Sequence, residues 1–175
     1  MSEHEIHLNI FYKYVLLTVF VAALFVSSPT QSSDVQDKET YCLAQNIYFE
    51  ARSQSFAGQV AVSNVVLNRV RNKSFPNTIC GVVKQGKHVP SWKDKTKLIP
   101  LRNKCAFSWY CDGKTDKPHN KKMFNHLYQV AEKVRTMMID ITGGALYYHS
   151  IYVNPWWAEH FTKTTLIDNH VFYKK

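Results

Sequence analysis

Residues 41–71, YCLAQNIYFEARSQSFAGQVAVSNVVLNRVR, decide how the rest of the chain is read. Leu43, Ile47 and Glu50 stand three and four residues apart, the spacing of one helical face, and Thr40 is placed to cap that helix. Glu50 thus falls near the end of a largely apolar and aromatic segment. Beyond SQS, helical period resumes through Ala57, Val60, Ala61, Asn64, Val65, Asn68 and Val70, alternating with positions expected to be exposed. Arg69, Arg71 and Lys73 suit the negative end of that second helix, and SFPNT breaks it.

Downstream, ICGVVKQG (79–86) is a short apolar run between turn formers and reads as a strand or a helical turn. Residues 87–120 carry three prolines and many lysines and read as a long functional loop. Helical periodicity returns through Met123, Leu127, Val130, Ala131, Val134 and Met138 and stops at the glycine pair Gly143-Gly144. From Ala145 onward the chain is rich in aromatic and β-branched residues and is expected to be extended. Helices first and strands last give an α+β fold class.

Upstream, no charged residue occurs from Tyr14 to Ser33, and the apolar part, Tyr14 to Val26, follows Lys13. That length fits a signal peptide better than the roughly 20 residues of a membrane span. The expected organisation is a signal peptide or N-terminal membrane anchor over 1–28, a polar linker over 29–40 and one domain over 41–175. Export to the periplasm or cell envelope follows, with membrane contact through the leader if it is retained.

The chain has 175 residues and a formal charge of +9, and 20 of its 22 lysines and arginines lie beyond Thr40 against eight carboxylates. An exported basic domain is expected to meet an anionic envelope polymer rather than nucleic acid. The four cysteines, Cys42, Cys80, Cys105 and Cys111, suit one or two disulfides in an oxidising compartment, with Cys105 and Cys111 the first pairing. There is no CxxC and no HExxH, so no metal and no cofactor is expected.

A carboxyl group in apolar surroundings holds its proton to higher pH, which is what a general acid requires. Tyr48, Phe49 and the adjoining helical face supply such surroundings for Glu50. The competing reading is a helix-end glutamate paired with Arg52.

Five blocks occur in order: residues 41–83, then CAFSWYCDGK (105–114), GGALYYHS (143–150), NPWWA (154–158) and IDNHVFYK (167–174). Together they resemble the SleB/CwlJ-type cell wall hydrolase family, from Tyr41 to Tyr173. The resemblance implies a fold like that of lysozyme and lytic transglycosylases, a helical core with a small antiparallel β-sheet toward the C-terminus. It also implies cleavage of peptidoglycan glycan strands with Glu50 as catalytic acid, and Ser108, Trp109, Tyr148 and His149 as groove residues.

Two departures bear on mechanism. Leu146-Tyr147-Tyr148-His149 stands where many relatives have Thr-His-Tyr-His, so imidazole is missing at position 147. Ser53-Gln54-Ser55 stands where relatives commonly have a Gly-Glu pair, which removes a carboxylate near Glu50. Ordinary glycoside hydrolysis needs a second carboxylate, for which Asp112 is the remaining choice, although Asp-Gly is also a standard turn. A lytic transglycosylase needs one glutamate, so that activity is expected at the linkage from muramic acid to glucosamine. The alternatives are plain hydrolysis, amidase cleavage of the stem peptide, or a non-catalytic wall-binding module.

Overall fold

The computed structural model describes residues 30–137 and 139–175. The apolar leader over 1–28 and Met138, both assigned roles from sequence, lie outside them. The chain divides into two compact units, Met1–Val35 and Gln36–Lys175, and every site residue discussed below belongs to the second.

Helix α1 spans Thr30–Ala51, so it starts ten residues before the expected cap. No glycine or proline occurs between Pro29 and Gly58, and the Gln, Asp, Lys and Glu residues here favour a helix once tertiary contacts hold it. Those contacts come from α4 (Lys121–Met137): the Tyr128 hydroxyl bonds Asp37, and the Arg135 guanidinium donates to Thr40, which is buried within the helix rather than capping it. Residues 30–40 are therefore helical.

Helix α2 (Phe56–Arg71) is capped by Ser55, whose Oγ accepts from the Gly58 amide at 3.3 Å. The Ser55 amide and hydroxyl also donate to Asp168 Oδ2 at 2.9 and 2.7 Å, tying the helix start to the C-terminal strands. A side chain on Gly58 would bring its Cβ within 2.3 Å of that same oxygen, so the close approach requires glycine.

Every residue of α2 from Gly58 to Val66 is buried, whereas Ala57 is exposed, so the expected alternation is absent. The helix is central: Val62 and Val66 pack with Leu43, Ile47, Leu127 and Val130 of α1 and α4, while Ala61 and Val65 pack on Ala145 and Phe172. A helix covered on two sides has no solvent stripe to reveal its period.

The run after SFPNT is a helical turn, α3 (Ile79–Val83), whose first amide is bonded by the Glu39 carboxylate at 2.5 Å. Cys42–Cys80 joins α1 to α3, and Cys105–Cys111 closes the expected short loop.

Residues 87–120 are not all loop. Strands β1 (Gly86–Pro90) and β2 (Leu98–Cys105) form an antiparallel hairpin. Its prolines, exposure and register shift between Gly86 and His88 hide it from a search for alternating hydrophobicity. A 3-10 turn (Ser108–Cys111) follows. The extended C-terminal region forms a second antiparallel sheet in the order β3 (Tyr147–Ser150), β5 (His170–Lys174), β4 (Thr162–Ile167), with a 3-10 turn at Trp156–His160. The fold is α+β, with β5 pressed onto α2 through Phe172.

Candidate active site

Glu50 is the penultimate residue of α1, and three other parts of the chain converge on it. Strand β3 brings Tyr148, whose hydroxyl donates to Glu50 Oε2 at 2.9 Å. Helix α2 brings Arg69, and the segment after β2 brings Ala106, Phe107 and Ser108. These residues, with Cys105, line a cavity of about 190 Å³ in which Glu50 is the one carboxylate among the described residues.

Burial pushes the Glu50 carboxyl above its ordinary range, partly countered by the Tyr148 hydrogen bond and the attraction of Arg69. Tyr148 is raised far above the usual phenol range by burial and by the neighbouring Glu50 charge, so it acts as a fixed donor. Its ring packs on Phe172 and His170 at 5.6 and 5.2 Å, which holds the hydroxyl on the carboxylate. The arrangement is a carboxyl that keeps its proton to higher pH, facing an open space, with one donor ready to stabilise the anion left after transfer.

The apolar setting differs in origin from the expected one. Tyr48 turns away, its hydroxyl accepting from the Asn120 amide at 3.2 Å, and Phe49 stacks on Trp109 at 4.7 Å. Phe107, Ala106 and Tyr148 supply the surroundings instead. Arg52 donates to the Tyr48 carbonyl at 3.0 Å, and no ion pair joins it to Glu50 among the described residues.

The four groove residues read from the sequence are not together. Tyr148 and Ser108 line the cavity, Ser108 at its exposed rim. Trp109 is 7% exposed, stacked on Phe49, with its indole N–H on Asn46 Oδ1 at 3.2 Å, so it supports the floor and offers no sugar-stacking face. His149 lies on the opposite face of β3 from Tyr148, as strand alternation requires. It stacks on Tyr173 at 5.2 Å, and its Nε2 meets the Tyr173 hydroxyl at 2.9 Å. Asp112 is a turn residue, accepting from the Lys114 amide at 2.8 Å, and lies outside the cavity lining.

Arg69 is the site residue that the reading of charge at a helix end missed. Its Nε donates to the Leu146 carbonyl at 2.8 Å, which fixes the approach to β3. A signal was present: Val62, Val66 and Arg69 lie at spacings of four and three on one face, so the arginine continues a buried stripe. Arg69, Ala106 and Tyr148 also line a second cavity of about 450 Å³, with Phe75, Gln85, Gly86, Tyr147 and Trp157, and the two spaces therefore adjoin. Asn64 and Asn68 are structural: Asn64 bonds the Ile139 carbonyl and the Ile141 amide at 2.8 and 3.1 Å, and Asn68 bonds the Ala145 carbonyl at 3.1 Å.

Among the described residues no group of three His, Cys, Asp or Glu side chains is gathered to hold a metal ion, and all four cysteines are in disulfides. No described helix is long and apolar enough to cross a membrane.

Two solved structures share the fold. The catalytic domain of the Bacillus cereus SleB protein is 28% identical, with a TM-score of 0.55 over 79% of this chain and 91% of that one. The catalytic domain of the germination-specific lytic transglycosylase SleB from Bacillus anthracis is 26% identical, with a TM-score of 0.58 over 85% and 98%. Sequence relatives include spore cortex-lytic enzymes of Bacillus cereus, 51% identical over 41 residues, and of Halalkalibacterium halodurans, 43% identical over 47 residues. Those matches cover 23% and 27% of this chain and only 16% and 14% of the relatives' length. The cell wall hydrolase family matches residues 53–173, a span that starts three residues after Glu50 and takes in Arg69, Ser108 and Tyr148. With most of the folded unit inside that match, the chain belongs to the cell wall hydrolase family.

Proposed function

We propose that this protein is an exported enzyme that cleaves the glycan strands of peptidoglycan between muramic acid and glucosamine, as a lytic transglycosylase with Glu50 as acid and then base. The observation that carries the reading is a single carboxyl of raised pKa, held by Tyr148 in a cavity without a second carboxylate among the described residues.

Protonated Glu50 donates to the bridging oxygen as the bond from muramic C1 breaks, and the glucosamine fragment leaves with that proton. The carboxylate then accepts the proton of the muramic 6-hydroxyl while O6 bonds to C1, which leaves a 1,6-anhydro end and restores the acid. Tyr148 donates to the carboxylate that exists between the two steps, and the Arg69 charge favours the same state. An internal nucleophile replaces external water, so proximity supplies several kcal/mol of the barrier without a second carboxylate.

The exposed Lys87, Lys93, Lys95, Lys97, Arg102 and Lys104 on or beside the β1–β2 hairpin would draw the domain to an anionic wall. The apolar leader either delivers the domain by cleavage or tethers it to the membrane. Mass spectrometry of fragments released from purified sacculi tests the reading. Anhydro-muramic ends are expected; reducing ends would mean a water nucleophile, free stem peptides an amidase, and no release a wall-binding module.

A further inference from the structure

Arg69 is 7% exposed, and its only hydrogen bond among the described residues runs from Nε to the Leu146 carbonyl. Its Nη1 is shut off from solvent with no acceptor. The guanidinium carbon lies 5.3 Å from the centre of the Phe75 ring, 5.2 Å from Phe107 and 5.7 Å from Tyr147. Aromatic faces compensate its charge but leave most of its five N–H donors open, an unfavourable state that an incoming acceptor relieves. Among the described residues no carboxylate lines the cavity of about 450 Å³ beside it, which leaves room there for an acceptor carried on a ligand.

We propose that this second cavity receives the lactyl arm carried on O3 of muramic acid, with the start of its peptide, and that Arg69 donates to a carbonyl or carboxylate oxygen of that arm. The inference rests on Glu50 acting at the muramic linkage. The two cavities share Arg69, Ala106 and Tyr148, so a substituent of the sugar held at Glu50 reaches the larger one. Its volume of about 450 Å³ is more than an acetamido group fills. Phe75, Tyr147 and Trp157, with Gln85 as an amide partner, suit an alkyl and amide chain better than a hydroxyl-covered ring. Arg69 is then a positioning and selectivity residue, and the arm sets the muramic C1 against Glu50.

The test uses the full chain carrying Glu50→Gln, so that ligand persists, and calorimetric titration with three tetrasaccharides. One contains muramic acid with stem peptides, one contains muramic acid with a free lactyl carboxylate, and one is chitotetraose, which lacks the arm. Muramic ligands are expected to bind roughly ten- to hundredfold tighter than chitotetraose, the factor of one charge-assisted hydrogen bond. Adding Arg69→Met should bring all three within about threefold. A stronger peptide-bearing ligand identifies the amide carbonyl, and a stronger peptide-free ligand the carboxylate. Equal affinities before the Arg69 change, or a preference that survives it, overturn the proposal. Should Arg69→Met not fold, Gln85→Leu and Trp157→Ala carry the test, and an unaltered preference in both overturns it. A parent that releases anhydro ends yet shows no preference refutes only this inference, whereas a parent that cleaves nothing refutes the function beneath it.

Discussion

Replacing Tyr148 by phenylalanine removes one oxygen and leaves the ring against Phe172 and His170. The lost contact is the 2.9 Å hydrogen bond to Glu50 Oε2. A hydrogen bond to a charged group contributes about 1.5–3 kcal/mol, and this one strengthens as Glu50 passes from acid to carboxylate in the transition state. Its loss should lower turnover of purified sacculi by roughly ten- to a hundredfold, since about 1.4 kcal/mol corresponds to a factor of ten. The pH profile provides a second readout with a definite sign. Tyr148 favours ionised Glu50, so removing it raises the carboxyl further, and the alkaline limb of the rate profile should move to higher pH. The assay is the initial rate of fragment release between acid and alkaline pH, with native folding checked by circular dichroism. A rate within about twofold of the parent, or a limb displaced toward acid, would refute the reasoning.

Glu50→Gln should raise the melting temperature at neutral pH, because ionisation of the carboxyl stabilises the unfolded chain more than the folded one. Burial places the folded pKa above the unfolded value of 4.5, so parent stability falls as pH rises through the window between them. The advantage of the variant should vanish well below pH 4.5, and a variant less stable than the parent at neutral pH would contradict the burial argument. Removing Cys42–Cys80 as a double serine variant should cost about 4 kcal/mol from its separation of 38 residues, against about 2 kcal/mol for Cys105–Cys111 with a separation of six. Denaturant titration would show the opposite order if the entropic account failed. Gly58→Ala gains about 0.5–1 kcal/mol of helix propensity but pushes Asp168 off Ser55 at a cost of about 1–3 kcal/mol. A net loss of stability is expected in thermal melts, and a gain would mean that the Asp168 anchor yields freely.

The helices were legible where apolar spacing met a one-sided burial, as in α4, where Leu127, Val130, Ala131 and Val134 all lie in the core. Along α2 the helix was legible but its exposed positions were not, because burial there is two-sided, and the start of α1 was missed because contacts distant in sequence hold a polar segment in place, as the Tyr128 and Arg135 bonds do. The β1–β2 hairpin was hidden by prolines and exposure. Within the site, Glu50 and Tyr148 were both named from their sequence blocks, and the structure joins them by a hydrogen bond. His149 could have been separated from Tyr148 by strand alternation alone, since neighbours on a strand face opposite sides. Trp109 could not be placed locally, because its burial depends on Phe49 and Asn46 sixty residues earlier in the chain. Arg69 looked like a helix-end cation, and only the position of its guanidinium among Phe75, Phe107 and Tyr147 distinguishes it from Arg71.

Incubating purified sacculi with the parent protein and with Glu50→Gln, and measuring bound protein and released anhydro-muramic fragments side by side, probes the proton donor most directly. The amide variant is predicted to bind the wall as the parent does and to release no fragments. Release at the parental rate would show that the proton comes from another group.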